Sequence, residues 1–430
     1  MQFRLLPSAT LAGTVHVPGD KSISHRAVML GSVARGKTVI HGFLRGEDTL
    51  ATVKALQSLG VRIEDGEPMV VYGHGDQPFS PPAAEIDLGN SGTSIRLLMG
   101  LLCGRNIEAV LNGDASLRKR PMERVAKPLR QMGAKIETTN GMPPVTIFPV
   151  NGLQGIHYVS PVASAQVKSA ILLAGLSATG KTTVVEPFLS RDHTERMLAA
   201  FGIQLERNGL ATTIEGGATL QGATIAVPAD ISSAAFFLVA GVLAKGSGIF
   251  LPAVGVNPTR TGVLTILQAM GAHIEEENPR FFGQEPVADL RVYPSSLHGI
   301  EIPPEWVPSA IDEFPAIFIA ASMAKGKTVL RGARELRVKE SDRIATMAKG
   351  LTALGIQVKT LEDGIIIEGQ ESFDGGEIHA HGDHRVAMAF AMAATKAKDA
   401  IIIYDCDNVK TSFPGFADMA RKVGLIIEVS

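Results

Sequence analysis

Hydroxyl and small residues occur at three predicted helix starts in the first half of the chain, and the first two of these starts also carry cations. The residues concerned are Lys21, Ser22 and Arg26 in the first helix, Gly92 in the second, and Ser164, Ala165 and Gln166 in the third. Free backbone N–H groups and the helix dipole attract anions, and hydroxyl, ammonium and guanidinium donors add charge-assisted hydrogen bonds. The pattern predicts a cradle for phosphate or carboxylate groups.

Ordinary helix capping is the alternative for each of these starts. Ser, Thr, Asp and Asn are the usual N-cap residues, and one exposed helix end contributes only about 0.3–1 kcal/mol to the binding of an anion. Acidic residues usually accompany a helix start, whereas these segments carry Lys21, Arg26 and Arg96. We therefore favour anion binding for the three segments taken together.

Two acidic residues of the second half precede predicted helices, and Glu340, which has cationic neighbours, is a possible proton carrier. Asp312 precedes a predicted buried helix, and Glu340 lies between Lys339 and Arg343 at another helix start. A carboxylate near a reacting group is a typical general acid or base. Capping by Asp312 and Ser341, with solvated charges around them, is the alternative. Two further cations at predicted helix starts are Arg120 and Arg385.

A recurrent unit positions these helix starts. Each copy has an opening strand, an apolar helix, a turn with a short strand, a second helix that ends in Gly, and a β-hairpin. The ending glycines are Gly60, Gly133, Gly202, Gly271, Gly355 and Gly424. Near-regular spacing is the signature of stacked supersecondary units. We predict six βαβαββ repeats, with the first helices buried and the amphipathic second helices outside. Hairpin turns are predicted at Asp65-Gly66, Asn140-Gly141, Asn208-Gly209 and Asp363-Gly364.

The six repeats divide naturally into three and three. The sixth repeat stops after the first strand of its hairpin, and Phe3–Leu6 form a spare strand that can supply the missing partner. The N-terminus then belongs with the last repeats. This gives one domain of residues 1–17 and 228–430, and another of residues 18–227. A single continuous array of six repeats is the rival arrangement.

Composition indicates a globular protein and gives no argument for a nucleic-acid or membrane partner, so we expect neither. The chain has 430 residues, which suit two or three domains, and a formal net charge of −2. Cys103 and Cys406 lie far apart, so we expect two core thiols and no disulfide or metal site. There is no signal-peptide pattern at the N-terminus, and Lys245 and Pro252 interrupt the longest apolar stretch, residues 236–256. A cytoplasmic location is expected.

One nucleotide-binding motif is rejected because of its context. Residues 175–182, Gly-Leu-Ser-Ala-Thr-Gly-Lys-Thr, fit the P-loop pattern in full. That motif needs a strand before it and a helix after it, whereas here a helix is predicted before and a strand after. The same Gly-Lys turn recurs at Gly36-Lys37 and Gly326-Lys327. We predict a structural helix-to-strand turn.

Seven segments, in order along the whole chain, resemble those of the 5-enolpyruvylshikimate-3-phosphate synthase family, in its second sequence class. They are Asp20-Lys-Ser-Ile-Ser-His-Arg26, Leu88-Gly-Asn-Ser-Gly-Thr93, Arg120-Pro121, Ser164-Ala-Gln166, Ser190-Arg-Asp-His-Thr194, Lys339-Glu-Ser-Asp-Arg343 and Asp383-His-Arg385. The resemblance implies a two-lobed inside-out α/β barrel, the enolpyruvyl transferase fold, with three βαβαββ repeats in each lobe. It also implies a monomer that needs no metal or organic cofactor.

The resemblance implies a reaction and a role for each site residue. The 5-hydroxyl of shikimate 3-phosphate receives the carboxyvinyl group of phosphoenolpyruvate, and phosphate leaves, in the biosynthesis of chorismate and the aromatic amino acids. The catalytic residues are Asp312 as base, Glu340 as carrier of the methylene proton, and Lys21. The shikimate 3-phosphate ligands are Lys21, Ser22, Arg26, Ser164, Ala165, Gln166, Asp312 and Lys339. The phosphoenolpyruvate ligands are Lys21, Gly92, Arg120, Gln166, Arg343 and Arg385, and glyphosate would bind at Gly92 as well.

Two alternatives remain open at this point. The related UDP-N-acetylglucosamine enolpyruvyl transferases usually carry a reactive Cys before the Arg-Pro dipeptide, whereas residues 112–120 here contain Asp114 and no Cys. A repeat protein that binds sugar phosphates without catalysis is the second alternative. The acids Asp312 and Glu340 argue against it, because binding alone does not need a proton carrier.

Overall fold

The computed structural model describes all 430 residues of a mixed α/β protein that divides into two compact units. The terminal unit, named for the two chain ends that it contains, comprises Met1–Pro18, Pro228–Phe281 and Pro286–Ser430. The central unit comprises Gly19–Val227 and Phe282–Glu285. Each unit has its own hydrophobic core. No helix of either unit has both the length and the apolar character that a membrane crossing requires.

Thirteen α-helices follow the repeat pattern. In the central unit they are α1 (Lys21–Val33), α2 (Glu47–Ser58), α3 (Gly92–Cys103), α4 (Glu123–Gln131), α5 (Ala165–Gly175) and α6 (His193–Ala200). In the terminal unit they are α7 (Ile231–Leu243), α8 (Gly262–Ala269), the single turn α9 (Val307–Ala310), α10 (Phe314–Ser322), α11 (Arg343–Ala353), α12 (His384–Met392) and α13 (Phe416–Lys422). Short 3-10 turns span Leu117–Lys119, Pro304–Trp306, Arg334–Val338, Ala393–Lys396 and Asp407–Thr411.

Twenty-five short strands complete the repeats. The strands of residues 1–227 are β1 (Phe3–Leu6), β2 (Thr10–Thr14), β3 (Arg35–His41), β4 (Arg62–Glu64), β5 (Met69–His74), β6 (Ile86–Asp87), β7 (Ala109–Asn112), β8 (Lys135–Thr139), β9 (Met142–Phe148), β10 (Leu153–Gln154), β11 (His157–Val159), β12 (Ala178–Thr179), β13 (Lys181–Val185), β14 (Glu206–Asn208), β15 (Ala211–Glu215) and β16 (Thr224–Ala226). The remaining strands are β17 (Lys245–Gly255), β18 (His273–Phe282), β19 (Glu285–Tyr293), β20 (Lys327–Leu330), β21 (Gln357–Leu361), β22 (Gly364–Glu368), β23 (Gly376–His379), β24 (Ile401–Tyr404) and β25 (Ile426–Val429).

The strands form one small sheet per repeat and an additional two-stranded pair. The sheets are mixed except for β20-β22-β21, which is antiparallel. In the central unit the strand orders are β16-β3-β5-β4, β6-β7-β9-β8 and β11-β13-β15-β14, with the pair β10-β12. In the terminal unit they are β18-β19-β17-β2, β20-β22-β21 and β23-β24-β1-β25. The opening strands of the first and fourth repeats are exchanged, since β2 pairs with β17 and β16 pairs with β3, both in parallel.

The predicted spare strand completes the sixth repeat. Strand β1 pairs antiparallel with β25, in a register that sets Phe3 opposite Val429 and Leu6 opposite Ile426. Its other edge pairs antiparallel with β24. The prediction that the N-terminal strand supplies the missing hairpin partner is confirmed.

The first helix of each repeat lies in a core and the second covers it, as predicted. Every residue of α7 is buried, as is every residue of α10. By contrast, α4 alternates buried residues such as Val125 and Leu129 with exposed charges. Burial of the first helices fixes the positions of their N-terminal turns, because a packed core resists small displacements.

The helix-ending glycines have a conformational reason. All six predicted glycines have φ between +84° and +110°, which strains any residue with a Cβ atom. Each donates its N–H group to the carbonyl three residues earlier, as Gly60 does to Gln57 and Gly424 does to Arg421. This is the usual αL termination of a helix, and it confirms the repeat boundaries.

Of the four predicted hairpin turns, one lies where it was predicted and another is displaced by one residue. Asn140-Gly141 is a two-residue hairpin turn as predicted, with φ of 53° and 81°. The prediction for Asp363-Gly364 is wrong by one residue, because Leu361 pairs with Gly364. Gly364 is needed for a close approach instead, since a Cβ atom there would lie 1.9 Å from the Leu330 carbonyl oxygen.

The other two turn predictions also need correction. Asn208 pairs with Ala211, so its loop is shifted by one residue. The loop after Glu64 has four residues, because β5 begins only at Met69. The predicted opening strand at residues 297–303 is reduced to isolated bridges such as Glu301 to Val329.

The rejected nucleotide motif and the two thiols behave as predicted. Helix α5 ends at Gly175 and β13 begins at Lys181, so the motif forms a helix-to-strand turn. Cys103 and Cys406 are buried and free, and burial raises the pKa of each thiol to about 12. Both cysteines are therefore unreactive core residues.

Candidate active site

Lys21 occupies the first position of α1 and is paired with an acid. Asp20 caps the helix, since its side chain accepts a hydrogen bond of 2.8 Å from the backbone N–H of Ile23. The ammonium group of Lys21 lies 2.5 Å from Asp48 Oδ2, on the neighbouring helix α2. Sequence reasoning gave Asp48 no role. The available signal was its position after Glu47 in the acidic first turn of α2, where a carboxylate can pair with a nearby cation.

Arg26 is a buried cation without a carboxylate partner. Its Nε donates to Thr194 Oγ1 at 2.7 Å, its Nη2 to Ser169 Oγ at 2.8 Å and its Nη1 to the carbonyl of Ser22 at 3.0 Å. The residue is 4% exposed. Burial lowers the pKa of Arg26 to about 10, because all its partners are neutral and acids act on it only from a distance. A buried cation in neutral surroundings is favourable to a bound anion.

The N-terminal halves of α1, α2 and α3 are joined by a buried hydrogen-bond chain. His25 Nδ1 lies 2.8 Å from Thr52 Oγ1, and Thr52 Oγ1 lies 2.6 Å from Ser94 Oγ. Ser91, the N-cap of α3, lies 2.5 Å from Ser94 through its hydroxyl group. Burial, with Lys21 and Arg26 nearby, holds the pKa of His25 well below its usual range. The imidazole is therefore neutral and acts as a structural link.

Gly92 makes room for the guanidinium group of Arg120. Gly92 is the first residue of α3, and a Cβ atom there would lie only 2.8 Å from Arg120 Nη1. Arg120 is 8% exposed and donates through Nη2 to Asn90 Oδ1 at 2.5 Å. The small residue and the cation were both predicted as ligands of one substrate, and the structure brings them together.

Gln166 is held at the start of α5 by an arginine of α3. Arg96 Nη1 donates to Gln166 Oε1 at 2.5 Å, and Gln166 Nε2 donates to Thr93 Oγ1 at 3.1 Å. Ser164 is the N-cap of α5 and accepts from the Val167 N–H group, so Ala165 and Gln166 fill the first turn. Sequence reasoning placed Arg96 at a helix start but did not assign it to Gln166.

Arg343 is the centre of the predicted acidic site in the terminal unit. It begins α11 and is 1% exposed. Its Nη2 donates to Glu340 Oε2 at 2.6 Å, its Nη1 to Asp312 Oδ1 at 3.4 Å and its Nε to Asp383 Oδ2 at 2.9 Å. Both predicted proton carriers therefore contact one guanidinium group.

Two more predicted cations contact Asp312. Lys339 Nζ lies 3.3 Å from Asp312 Oδ1, and Arg385 Nη1 donates to the Asp312 carbonyl oxygen at 3.0 Å. The side chains of Asp312 and Glu340 remain partly accessible, at 15% and 22% exposure. The structure thus places all five predicted residues of the terminal unit in one cluster.

Electrostatics keep the deepest part of this cluster charged. Burial would lower the pKa of Arg343, but Asp383, Glu340 and Asp312 outweigh it and raise that pKa. Burial would raise the pKa of Asp383, but the charge of Arg343 outweighs it and lowers that pKa. Asp383 also caps α12 by accepting from the Arg385 N–H group at 3.0 Å. Sequence reasoning noted Asp383 in a motif and gave it no role, although its place before a helix was a capping signal.

The six-repeat α/β architecture, with cationic first-helix starts in the central unit, defines the enolpyruvyl transferase class of fold. A family model described as EPSP synthase (3-phosphoshikimate 1-carboxyvinyltransferase) matches residues 6–419. The chain belongs to the EPSP synthase family.

Relatives of the same family match the whole chain. A 3-phosphoshikimate 1-carboxyvinyltransferase of Nitrosococcus oceani is 57% identical over 430 residues, covering 99% of this chain and 97% of its own. The enzyme of that name from Coxiella burnetii is 52% identical, covering 100% of this chain and 98% of its own. A solved EPSP synthase from Acinetobacter baumannii has a TM-score of 0.89 at 52% identity, covering 100% of this chain and 99% of that chain.

Proposed function

We propose that Asp312, Glu340 and Lys21 carry the chemistry of the family's reaction in this chain. That reaction transfers the carboxyvinyl group of phosphoenolpyruvate to the 5-hydroxyl of shikimate 3-phosphate and releases phosphate, in the biosynthesis of the aromatic amino acids. The main support is the contact of both acids with Arg343, because a shared buried cation fixes two proton carriers in place.

Each proton has a proposed carrier. In the addition step, the 5-hydroxyl oxygen bonds to C2 of phosphoenolpyruvate, Asp312 takes the hydroxyl proton, and Glu340 gives a proton to C3. In the elimination step, the bond between C2 and the phosphate oxygen breaks and Glu340 takes a proton back from C3. Lys21 and neighbouring cations offset the charge of the departing phosphate. The two acids have exposed surface through which such protons can pass.

Shikimate 3-phosphate is proposed to bind mainly through the starts of α1 and α5. The buried guanidinium of Arg26, which has only neutral partners, supports this assignment. Asp312 and Lys339 complete the set, as an ion pair of 3.3 Å that both a hydroxyl group and an anion can contact. The proposed ligands are Lys21, Ser22, Arg26, Ser164, Ala165, Gln166, Asp312 and Lys339.

Phosphoenolpyruvate is proposed to bind where small residues and guanidinium groups adjoin. The close approach of Arg120 to Gly92 supports this assignment, because it leaves a cation beside an uncrowded helix N-terminus. The buried charge of Arg343 and the backbone-anchored Arg385 support it in the terminal unit. The proposed ligands are Lys21, Gly92, Arg120, Gln166, Arg343 and Arg385.

The assembly and location are also proposals. We infer a cytoplasmic monomer of two domains, residues 1–17 with 228–430 and residues 18–227, that binds no nucleic acid and no membrane and needs no cofactor. The near-neutral formal charge of −2 supports the absence of a polyanionic partner. Light scattering coupled to size exclusion tests the monomer, and a dimer mass at micromolar concentration would contradict it.

Phosphate release is the decisive assay for the function. We expect release from phosphoenolpyruvate when shikimate 3-phosphate is present, and no release when UDP-N-acetylglucosamine replaces it. Turnover with only the nucleotide sugar would contradict the proposed acceptor. Binding of shikimate 3-phosphate without any phosphate release would instead support a sugar-phosphate-binding protein that has no catalytic activity.

A further inference from the structure

A second group of charges lies buried in the terminal unit, next to the proposed active-site residues. We call Asp230, Ser232, Arg260 and Glu313 the Glu313 cluster. Asp230 caps α7 and Glu313 stands at the N-cap position of α10. The side chains of Asp230, Arg260 and Glu313 are 8%, 3% and 0% exposed. None of these residues has a role in the proposed reaction.

Hydrogen bonds join the members of the Glu313 cluster. Arg260 Nη2 donates to Ser232 Oγ at 2.6 Å and to Asp230 Oδ1 at 3.3 Å. The Ser232 hydroxyl donates in turn to Glu313 Oε1. Glu313 makes no side-chain cap bond to its own helix, and its Oε2 atom is buried without a hydrogen-bond partner. Capping therefore does not explain why this carboxylate is buried here.

The cluster reaches the proposed active site through Arg385. Arg385 Nη1 lies 3.7 Å from Glu313 Oε1 and donates to the Asp312 carbonyl oxygen at 3.0 Å. Two consecutive residues therefore contact the same guanidinium group, Asp312 through its carbonyl oxygen and Glu313 through its carboxylate. The Arg385 side chain is 12% exposed, so part of it remains accessible to a ligand.

Stability alone is a weak explanation for a carboxylate buried at this position. Buried ion pairs often contribute little net stability, because desolvation of the charges offsets their attraction. A buried carboxylate beside an arginine can instead serve to orient the guanidinium group, as Glu313 is placed to do for Arg385. We propose that Glu313 is a positioning residue for the reaction, which fixes the guanidinium of Arg385 for the carboxylate or phosphate of phosphoenolpyruvate. This inference rests on the proposed role of Arg385 in the proposed function.

The test is Glu313→Gln in the full-length chain, which removes the charge and keeps the shape. We expect the KM for phosphoenolpyruvate to rise by at least about tenfold, with a smaller change in kcat and in the KM for shikimate 3-phosphate. A KM for phosphoenolpyruvate within about twofold of the wild-type value would overturn the proposal. The matched control is Asp289→Asn, which removes another largely buried, ion-paired carboxylate of the terminal unit, bound to Arg280 rather than Arg385. We expect it to lower stability and leave that KM unchanged.

A double-mutant cycle shows whether Glu313 acts through Arg385. We expect Glu313→Gln to change kcat/KM by less than about twofold when Arg385 is already replaced by Gln, because the group that it positions is gone. Equal effects of Glu313→Gln in both backgrounds would overturn the proposal.

The remaining outcomes are also decisive. A normal KM in Arg385→Gln would remove the role of Arg385 and this inference, while phosphate release by the wild type would still uphold the proposed function. If Glu313→Gln does not fold, Ser232→Ala replaces it, since it removes the hydrogen bond to Glu313 and leaves the carboxylate. A raised KM for phosphoenolpyruvate in Ser232→Ala supports the proposal, and an unchanged one overturns it.

Discussion

Arg343 contacts three acids of the candidate site. These contacts determine which substitution can test the chemistry without disturbing the fold. The Arg343 guanidinium group touches Asp312, Glu340 and Asp383, and Asp383 is wholly buried. Removing Arg343 would leave Asp383 as an uncompensated buried charge, which typically costs about 3–5 kcal/mol. A loss of activity in such a variant would mix damage to the fold with damage to the chemistry. The more exposed acids are the better probes.

Asp312→Asn should separate chemistry from binding. The amide keeps the size of the side chain but cannot accept the hydroxyl proton, so we expect kcat to fall by roughly 10²–10⁴. Affinity for shikimate 3-phosphate, measured by calorimetry, should change far less. The exposed Asp418, which pairs with Arg421, provides the control as Asp418→Asn. A near-normal kcat in Asp312→Asn would show that the base is another group.

Asp289 should contribute to acid stability. Burial would raise its pKa, but hydrogen bonds from Arg280, the Ala253 N–H group and Asn278 outweigh it and lower the pKa from 3.8 to about 2. A lowered folded-state pKa stabilises the fold above pH 3.8, and this contribution is lost as the pH falls towards about 2. The unfolding free energy of Asp289→Asn should therefore fall less steeply than that of the wild type across this range. Urea titrations at several pH values would measure it, and parallel curves would contradict the prediction.

At the scale of elements, the contact of α3 with α5 depends on a glycine. A Cβ atom on Gly100 would lie 2.1 Å from the Ala170 carbonyl oxygen and 2.7 Å from its Cα atom. Because both are backbone atoms of a buried helix, one helix must move to relieve the clash. We expect Gly100→Ala to cost about 1–3 kcal/mol of unfolding free energy, measured with urea.

Gly92→Ala is the matched control, because it makes the same substitution at the other end of α3. There the added Cβ meets only the end of the Arg120 side chain, which can move. We expect its unfolding free energy to stay close to the wild-type value, while the displaced guanidinium raises the KM for phosphoenolpyruvate. A stability loss equal to that of Gly100→Ala would show that the loss does not come from the α3–α5 contact.

The sequence predicts the elements well where a local rule determines them. The six glycines require positive φ, and the apolar first helices can be buried only in a core, so the repeats followed from pattern alone. Turn positions were harder to predict, because Gly364 serves a close approach to Leu330 rather than the turn that its Asp-Gly pair suggests.

The pairing of side chains within the candidate site could not be predicted from the sequence. Glu340 stood out because it lies between two cations at a helix start, and Asp312 because it lies before an apolar helix in a chain that resembles this family. The engagement of Arg343 by Asp383, and of Arg385 by Glu313, depends on rotation about helix axes and on packing between distant segments. One residue step turns a helical side chain by about 100°, so small errors in helix position reverse such assignments.

At the scale of the whole molecule, two separate hydrophobic cores suggest that the units can fold independently. A fragment of residues 18–227 contains nearly all of the central unit and its core. We expect it to unfold cooperatively, at a lower temperature than in the full chain because it lacks Glu285, which pairs with His193 at 2.8 Å in the central unit. The absence of native-like circular dichroism in the fragment would contradict independent folding.

The same fragment should bind one substrate and catalyse nothing. It retains Lys21, Ser22, Arg26 and the start of α5, so shikimate 3-phosphate should raise its unfolding temperature. At ligand concentrations well above the dissociation constant, the rise should follow the logarithm of the shikimate 3-phosphate concentration. It lacks Asp312 and Glu340, so no phosphate should be released from phosphoenolpyruvate. The control is the same fragment with Arg26→Gln, in which the rise should be smaller because the buried cation is gone. An equal rise in both fragments would show that Arg26 is not the phosphate ligand, since the anion would then be bound by other groups.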